Sequence, residues 1–213
     1  MCGRASLTTP DWETIRALLD AVPDDDEREA YSPRYNVAPT QLHPILRIVG
    51  GERRLQRASW GLPPIENRAL INARIETIQS RPMWQDALAE RRCVVPVDGF
   101  FEWQGDQPYW FHRADGGLLL LAGLWEPGTE RARFVVVTCA PNKLVAEAHD
   151  RMPAILAPSC VVDWLARPAV DVIAPAPEDA LVATPVSTRV NSPANDDARL
   201  LEPVRPRTQL SLF

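Results

Sequence analysis

Apolar residues recur along the chain in two rhythms, and the changes of rhythm mark the elements. Trp12, Ile15, Leu18 and Leu19 fall at helical spacing. This predicts a helix with Thr9 as N-cap and Pro10 at its first position. Pro82 to Glu90 and Pro158 to Ala166 read as further short helices, and Leu144 to His149 as one or two turns. Elsewhere short apolar or alternating runs predict strands: Leu42 to Val49, Arg53 to Trp60, Cys93 to Trp103, Tyr109 to Arg113, Leu118 to Trp125 and Arg133 to Cys139. Turn signals separate them at Gly50-Gly51, Gly105-Asp106, Asp115-Gly116-Gly117 and Pro127-Gly128. The acidic stretch from Pro23 to Glu29 reads as a solvated loop. Many strands, few helices and no regular βαβ alternation predict an α+β fold. The expected form is a single domain over residues 1–202, with a mostly antiparallel, β-barrel-like core flanked by a few helices. Residues 203–213 read as a tail beyond it.

Composition narrows this picture. The chain has 213 residues, 46 % of them hydrophobic, which suits one globular domain. No apolar run approaches the roughly 20 residues of a membrane span. The first residues lack a charged-then-apolar leader pattern, so the expectation is a cytoplasmic protein with no membrane partner. The formal net charge of −5 argues against a globally basic nucleic-acid binder but leaves room for a local arginine-lined groove. The four cysteines, Cys2, Cys93, Cys139 and Cys160, form no Cys-x-x-Cys pair and have no histidine cluster nearby. A structural zinc site or disulfide framework is therefore not expected. Cys93 and Cys139 lie in apolar runs and read as core residues.

Cys2 carries the most distinctive chemistry. Removal of Met1 leaves a cysteine with a free α-amine, so one residue holds a thiol of pKa ~8.5 and an amine of ~7.7–8.0. Such a 1,2-aminothiol condenses with an aldehyde to an imine and then closes a thiazolidine ring. An internal cysteine cannot, because its nitrogen is an amide. Lys143 is the only lysine in the chain, so almost no other amine competes for a carbonyl substrate.

Other polar residues sit in apolar surroundings. Glu102, in Gly99-Phe100-Phe101-Glu102-Trp103, is either a general base of raised pKa or the outward-facing residue of an alternating strand. His149, in His149-Asp150-Arg151-Met152-Pro153, is either a proton donor or a helix-end cap. Asn72 and Arg74 are polar residues at strand spacing that share either one face of a cleft or one solvated face. Arg34-Tyr35-Asn36-Val37-Ala38-Pro39-Thr40-Gln41 reads as a rigid loop, and His43 and His112 as residues without evident polar partners.

The ordered set of these segments, with Met1-Cys2-Gly3-Arg4, Trp60-Gly61, Ile71-Asn72-Ala73-Arg74, Glu76-Thr77 and Thr184-Pro185-Val186-Ser187, closely resembles the SRAP (SOS response-associated peptidase) family across nearly the whole chain. The resemblance implies an abasic-site processing protein in the DNA damage response, acting as a monomer at the bacterial nucleoid without metal or organic cofactor. It implies recognition of abasic sites in single-stranded DNA and a covalent thiazolidine cross-link through Cys2, placing the activity among hydrolases or lyases. The word peptidase refers to self-removal of the initiator methionine. By the same resemblance Cys2, Asn72, Glu102 and His149 are the catalytic residues. Arg4, Asn36, Pro39, Trp60, Arg74, Thr138 and Arg151 line the DNA path. One departure is the segment Leu62-Pro63-Pro64-Ile65-Glu66-Asn67-Arg68, which lacks the aromatic residues that many relatives use to prop DNA strands apart.

Two other readings stand beside this one. One is a cysteine-dependent peptidase or hydrolase acting on peptides; the other is a non-catalytic single-stranded DNA-binding module. The tail adds a further expectation. Gln209-Leu210-Ser211-Leu212-Phe213 resembles the docking peptides of bacterial sliding-clamp partners. Leu212 and Phe213 would fill an apolar pocket, Leu210 would pack at its rim, and the Gln209 amide would occupy a polar subsite.

Overall fold

The computed structural model describes residues 2–22, 25–65, 68–168 and 170–205. In chain order its elements are β1 (Ala5–Leu7), α1 (Trp12–Leu18), α2 (Asp25–Glu29), β2 (Arg34–Val37), β3 (Leu42–Val49), β4 (Glu52–Trp60), β5 (Leu62–Ile65), β6 (Arg68–Leu70) and β7 (Asn72–Arg74). There follow α3 (Ile75–Ile78), α4 (Pro82–Glu90), β8 (Arg92–Val97), β9 (Gly99–Gln104), β10 (Gln107–His112), β11 (Leu119–Glu126), β12 (Arg133–Cys139), α5 (Lys143–Ala146), β13 (Met152–Pro153), α6 (Val161–Ala166) and β14 (Val182–Pro185). Strands dominate and helices are short, as the sequence predicts. Among the described residues no helix is long and apolar enough to cross a membrane.

Strands β11, β8, β3, β4 and β12 are hydrogen-bonded in that order, and β11 also pairs with β12, so the sheet closes into an uneven ring. Most pairings are antiparallel, but β12 runs parallel to both β4 and β7. A second sheet, in the order β14-β10-β9-β1-β2, packs beside the ring. The β3–β4 hairpin turns on Gly50 and Gly51, both at positive φ, the backbone that a two-residue turn between twisted strands requires.

One junction joins the two sheets. Cys93 to Trp103, expected as one strand, breaks at Asp98 into β8 in the ring and β9 in the second sheet. The Asp98 N–H donates to Ser6 O at 2.8 Å, and its carboxylate accepts from the Thr8 N–H. Asp98 thereby fastens the corner to β1, the strand that follows Cys2.

Other expectations change in detail. Helix α1 starts after Asp11, whose carboxylate caps the Thr14 N–H at 2.8 Å; Thr9 instead gives its carbonyl to the Tyr31 hydroxyl. Leu18 faces solvent, while Trp12, Ile15 and Leu19 are buried. The acidic stretch contains α2 rather than being all loop, and Pro158 to Ala166 opens with a 3-10 turn before α6. His43 and His112 do have polar partners, Pro96 O at 2.7 Å and Thr184 Oγ1 at 3.0 Å. Burial holds His43 down to about 4, so it is neutral and donates from Nε2. The expected boundary at residue 203 also moves, because the Val204 N–H still donates to Pro185 O at 2.9 Å. Gln209, Leu210, Leu212 and Phe213 lie outside the described residues.

Arg92 ties the helices to the ring. It is 6 % exposed and donates to Leu88 O, Ala89 O, Trp164 O and Leu165 O. Those are carbonyls at the C-terminal ends of α4 and α6, which a helix leaves unsatisfied and where a cation is favoured.

Candidate active site

Three strand ends converge on Cys2. β1 pairs with β9 through Ala5 and Phe100, and the Phe101 N–H donates to Arg4 O at 3.0 Å. Glu102, the next residue of β9, is thus set alongside the Cys2–Gly3 end. From the other side Asn72, first residue of β7, donates from Nδ2 to Cys2 O at 3.0 Å. Cys2 is completely buried and Glu102 is 2 % exposed. Burial pushes the Cys2 thiol well above its ordinary value, and the negative charge of Glu102 raises it further. Burial also pushes Glu102 up to about 7, with the charge of Asp150 adding to the effect. The carboxyl is therefore poised to change protonation state near neutral pH.

The C-terminal end of β12 organises the remaining groups. Asn72, Ala73 and Arg74 of β7 run beside Val136, Val137 and Thr138, and Met152 of β13 lies opposite Cys139. Arg151, just before β13, makes a two-bond ion pair with Glu76 at 2.6 and 2.8 Å and donates to Thr138 O at 2.7 Å. His149 ends the turn of α5, its N–H donating to Val145 O. Its Nδ1 lies 3.0 Å from the Arg151 N–H and 2.9 Å from Asp150 Oδ1. One nitrogen cannot accept from the first and donate to the second in a single protonation state. Burial lowers the His149 pKa, so the neutral ring dominates at neutral pH. Nδ1 then accepts from Arg151 and the ring proton sits on Nε2. The mostly exposed Asp150 becomes a partner when the ring gains a second proton. Two buried polar atoms here, Asn72 Oδ1 and Arg151 Nε, have no hydrogen-bond partner among the described residues. Buried polar groups are ordinarily satisfied; the other unpartnered atoms among the described residues include Trp12 Nε1, Arg54 Nε and Arg91 Nε, away from Cys2.

The residues expected along DNA divide into two groups. Arg74 and Pro39 are at least partly accessible. Trp60 is a correction: it is 2 % exposed, stacks on Phe134 and donates to Ile71 O at 3.1 Å, so its ring braces the strand before Asn72 and offers no face to DNA. Asn36 and Thr138 are likewise buried. Asn36 donates to Val190 O, Ser192 O and Asn195 O and accepts from Arg4 at 3.0 Å. Arg4 also donates to Val190 O and Asn191 O. Asp196 completes this latch by accepting from the Tyr35 and Asn36 N–H groups and from Arg34. The latch ties the strand that follows Cys2 to residues some 190 positions away in the sequence. Sequence reasoning missed Asp196, and it left Glu76 and Asp150 without roles although both stand in the motifs it singled out. No group of three or more His, Cys, Asp or Glu side chains among the described residues is placed to hold a metal ion.

Comparison with known proteins bears on this arrangement. Residues 1–193 match the family model described as SOS response associated peptidase (SRAP). The chain is 32 % identical over 228 residues to "Abasic site processing protein YoaM" of Bacillus subtilis (strain 168), covering 95 % of this chain and 98 % of that one. It is 31 % identical over 226 residues to "Abasic site processing protein YedK" of Escherichia coli (strain K12), covering 96 % and 100 %. A crystal structure of a Bacteroides thetaiotaomicron protein shares the fold, with a TM-score of 0.81 at 21 % identity over 96 % of this chain and all of that one. A Bordetella bronchiseptica protein superposes with a TM-score of 0.73 at 26 % identity, over 87 % of this chain and all of that one. With a family match over most of its length and full-length relatives above 30 % identity, the chain belongs to the SRAP family.

Proposed function

We propose that the protein processes abasic sites in single-stranded DNA by forming a thiazolidine cross-link through Cys2 once Met1 has been removed. The observation that carries this reading is the pairing of a buried Cys2, held by Asn72, with a carboxyl of pKa about 7. An abasic sugar rests mostly as a closed hemiacetal. The Nε2–H of His149 is suited to protonate the ring oxygen as that ring opens to the aldehyde. Glu102 takes a proton from the Cys2 ammonium, and the neutral nitrogen attacks C1′. The former carbonyl oxygen leaves as water, with protons returned by the acid groups, to give an iminium. The Cys2 thiol then adds to C1′, and its proton passes to Glu102. Aldehyde, amine and thiol become one ring plus one water.

The raised thiol pKa supports an order of events. The thiol is protonated at neutral pH, so the amine reacts first and the sulfur closes the ring. Binding would be sequence-independent and salt-sensitive, because the contacts outside the lesion are to phosphates.

The test is to incubate Met1-processed protein with an abasic single strand and run a denaturing gel. A heat-stable cross-link is expected. It should disappear in Cys2→Ser, which keeps the amine but lacks the thiol, and in protein that retains Met1. Wild-type yield from Cys2→Ser would rule the mechanism out. Cys2-dependent cleavage of peptides with no DNA adduct would favour a hydrolase instead.

A further inference from the structure

Strand β14 ends the second sheet, and among the described residues β10 is the one strand that pairs with it. The Val186 N–H donates to Pro108 O on the β10 side. Backbone groups point to alternate sides along a strand, so Thr184 and Val182 also face β10, while Pro185 and Ala183 point to the open edge. On that edge Pro185 O already accepts from the Val204 N–H at 2.9 Å. The chain leaves β14 at Val186 and passes through the latch, where Asn36 holds Val190 O, Ser192 O and Asn195 O. It returns at Val204 to the residue from which it left. A chain that makes its first bond there is set to run back antiparallel along β14.

Val204 opposite Pro185 fixes a register. Continued antiparallel, Pro206 falls opposite Ala183 and Thr208 opposite Leu181, and Leu210 and Leu212 pass beyond the start of β14. Opposed residues of paired strands share a face. Even-numbered positions therefore lie on the face of Leu181, which is buried, and of Ala183, which packs against the core. The sequence alternates in that same phase. Val204, Pro206, Leu210 and Leu212 are apolar, and Arg205, Arg207, Gln209 and Ser211 between them are polar. A slip of one residue would turn the apolar set outward. Beyond the start of β14, on the line of the continued register, lies a cleft of about 310 Å³, lined by apolar residues that include Leu119, Ile155, Leu156, Val172, Ala180 and Leu181.

We infer that residues 205–213 add a strand to the open edge of β14 and seat Leu210 and Leu212 in this cleft. The occupant of the surface is the chain's own segment after Val204. Two independent observations agree on it: the hydrogen bond sets the register, and the apolar alternation matches its phase. Main-chain bonds supply the pairing and alternate side chains the fit, as when a sheet edge takes up an extended peptide. The pairing is incomplete, because Pro185 and Pro206 have no N–H and their two rungs keep one bond each. A strand held this weakly can leave. The leucines seated in the cleft belong to the segment that resembles a clamp-docking peptide, so it serves either the domain or an outside partner, and not both at once. The inference is independent of the cross-linking reading.

Amide exchange at Ala183 is the readout, because its N–H points to the open edge and has Pro206 O as the acceptor in this register. In the full chain it should be slower by about tenfold or more than in the double variant Leu210→Asp/Leu212→Asp. Ser211→Asp adds its charge on the opposite face and should exchange like wild type. These positions lie outside the described residues, so neither variant removes a contact that builds the described fold. Ala180→Asp puts the charge in the cleft instead and should speed exchange as the leucine variant does. Equal exchange in wild type and the leucine variant would overturn the inference. So would an equal effect of Ser211→Asp, which would mean no preferred face. Protection that rises with protein concentration would overturn it too, because the segment would then be docking on a second copy.

Discussion

Replacing Glu102 with glutamine separates what the carboxyl does for chemistry from what it does to the fold. Burial raises its pKa from 4.5 to about 7. Each unit corresponds to about 1.36 kcal/mol between the two protonation states, so above pH 7 the folded chain is destabilised by about 3 kcal/mol for holding this group ionised. Because the folded pKa is the higher one, the protonated form's contribution is complete below pH 4.5 and is lost as pH rises through 7. Glutamine keeps the shape and cannot ionise. The stability of Glu102→Gln relative to wild type should therefore grow by about 3 kcal/mol between pH 4 and pH 8. In a domain of this size that is roughly 6–12 °C in Tm. Urea unfolding at pH 4, 5.5, 7 and 8 measures it. A difference between variant and wild type that stays flat over that range would refute the argument that burial sets this pKa. Cross-linking should move the other way, slowing by about 10²–10⁴-fold in the variant, while the wild-type rate climbs between pH 6 and 8 as the carboxylate forms. A gain in stability joined to a loss of chemistry is the expected signature of a strained site.

Arg92→Leu leaves carbonyls at the ends of α4 and α6 unsatisfied, and should cost about 3 kcal/mol in urea unfolding; a loss below about 1 kcal/mol would show that those helix ends satisfy themselves. Asn36→Ala removes one donor from each of three carbonyls and one acceptor from Arg4, which keeps Val190 O and Asn191 O, and a loss of about 3 kcal/mol is expected by the same measurement, with slower cross-linking as Cys2 loosens. His149→Ala should slow cross-linking about 10²-fold or more on a closed abasic sugar but less on a simple open-chain aldehyde, and equal slowing on both would remove it from ring opening. The segment Gln209 to Phe213 is expected to tether the domain to a bacterial sliding clamp and so raise its local concentration at replication forks; titration of a clamp with the full chain and with a chain lacking those five residues should show binding only by the former.

Periodic segments were the most readable from sequence. β3, α4 and β12 have the bounds their apolar patterns predict: β12 is buried on both faces from Phe134 to Cys139, β3 is buried from His43 to Leu46, and α4 buries the side that carries Trp84, Ala87 and Leu88. The break at Asp98 was not readable, since apolar residues continue on both sides. Only the partner atoms Ser6 O and Thr8 N–H, some 90 residues earlier, explain the corner. Asp196 was hidden for the same reason, its partners lying about 160 positions away. Trp60 shows the reverse error. A tryptophan in a motif that resembles a DNA-binding family was expected at the DNA, yet burial and its bond to Ile71 O make it a brace for the strand that carries Asn72. Cys2, Asn72, Glu102, His149 and Arg151 were singled out because their motifs are short and local. How they are wired to one another, and which arginines remain free, depends on strand register.

The depth at which Cys2 is set has a consequence for survival in a cell. Peroxide, disulfide exchange and soft electrophiles all attack the thiolate. A sulfur kept protonated, beside a carboxyl that opposes its ionisation and beneath a surface that excludes solvent, presents almost none of it. In the proposed mechanism, capture of an aldehyde would start at nitrogen and would need no standing thiolate. The same burial that makes Cys2 a sluggish nucleophile in isolation thus leaves it unspent for the proposed reaction: glutathione and oxidants find little thiolate to attack, whereas the proposed route would begin at the amine.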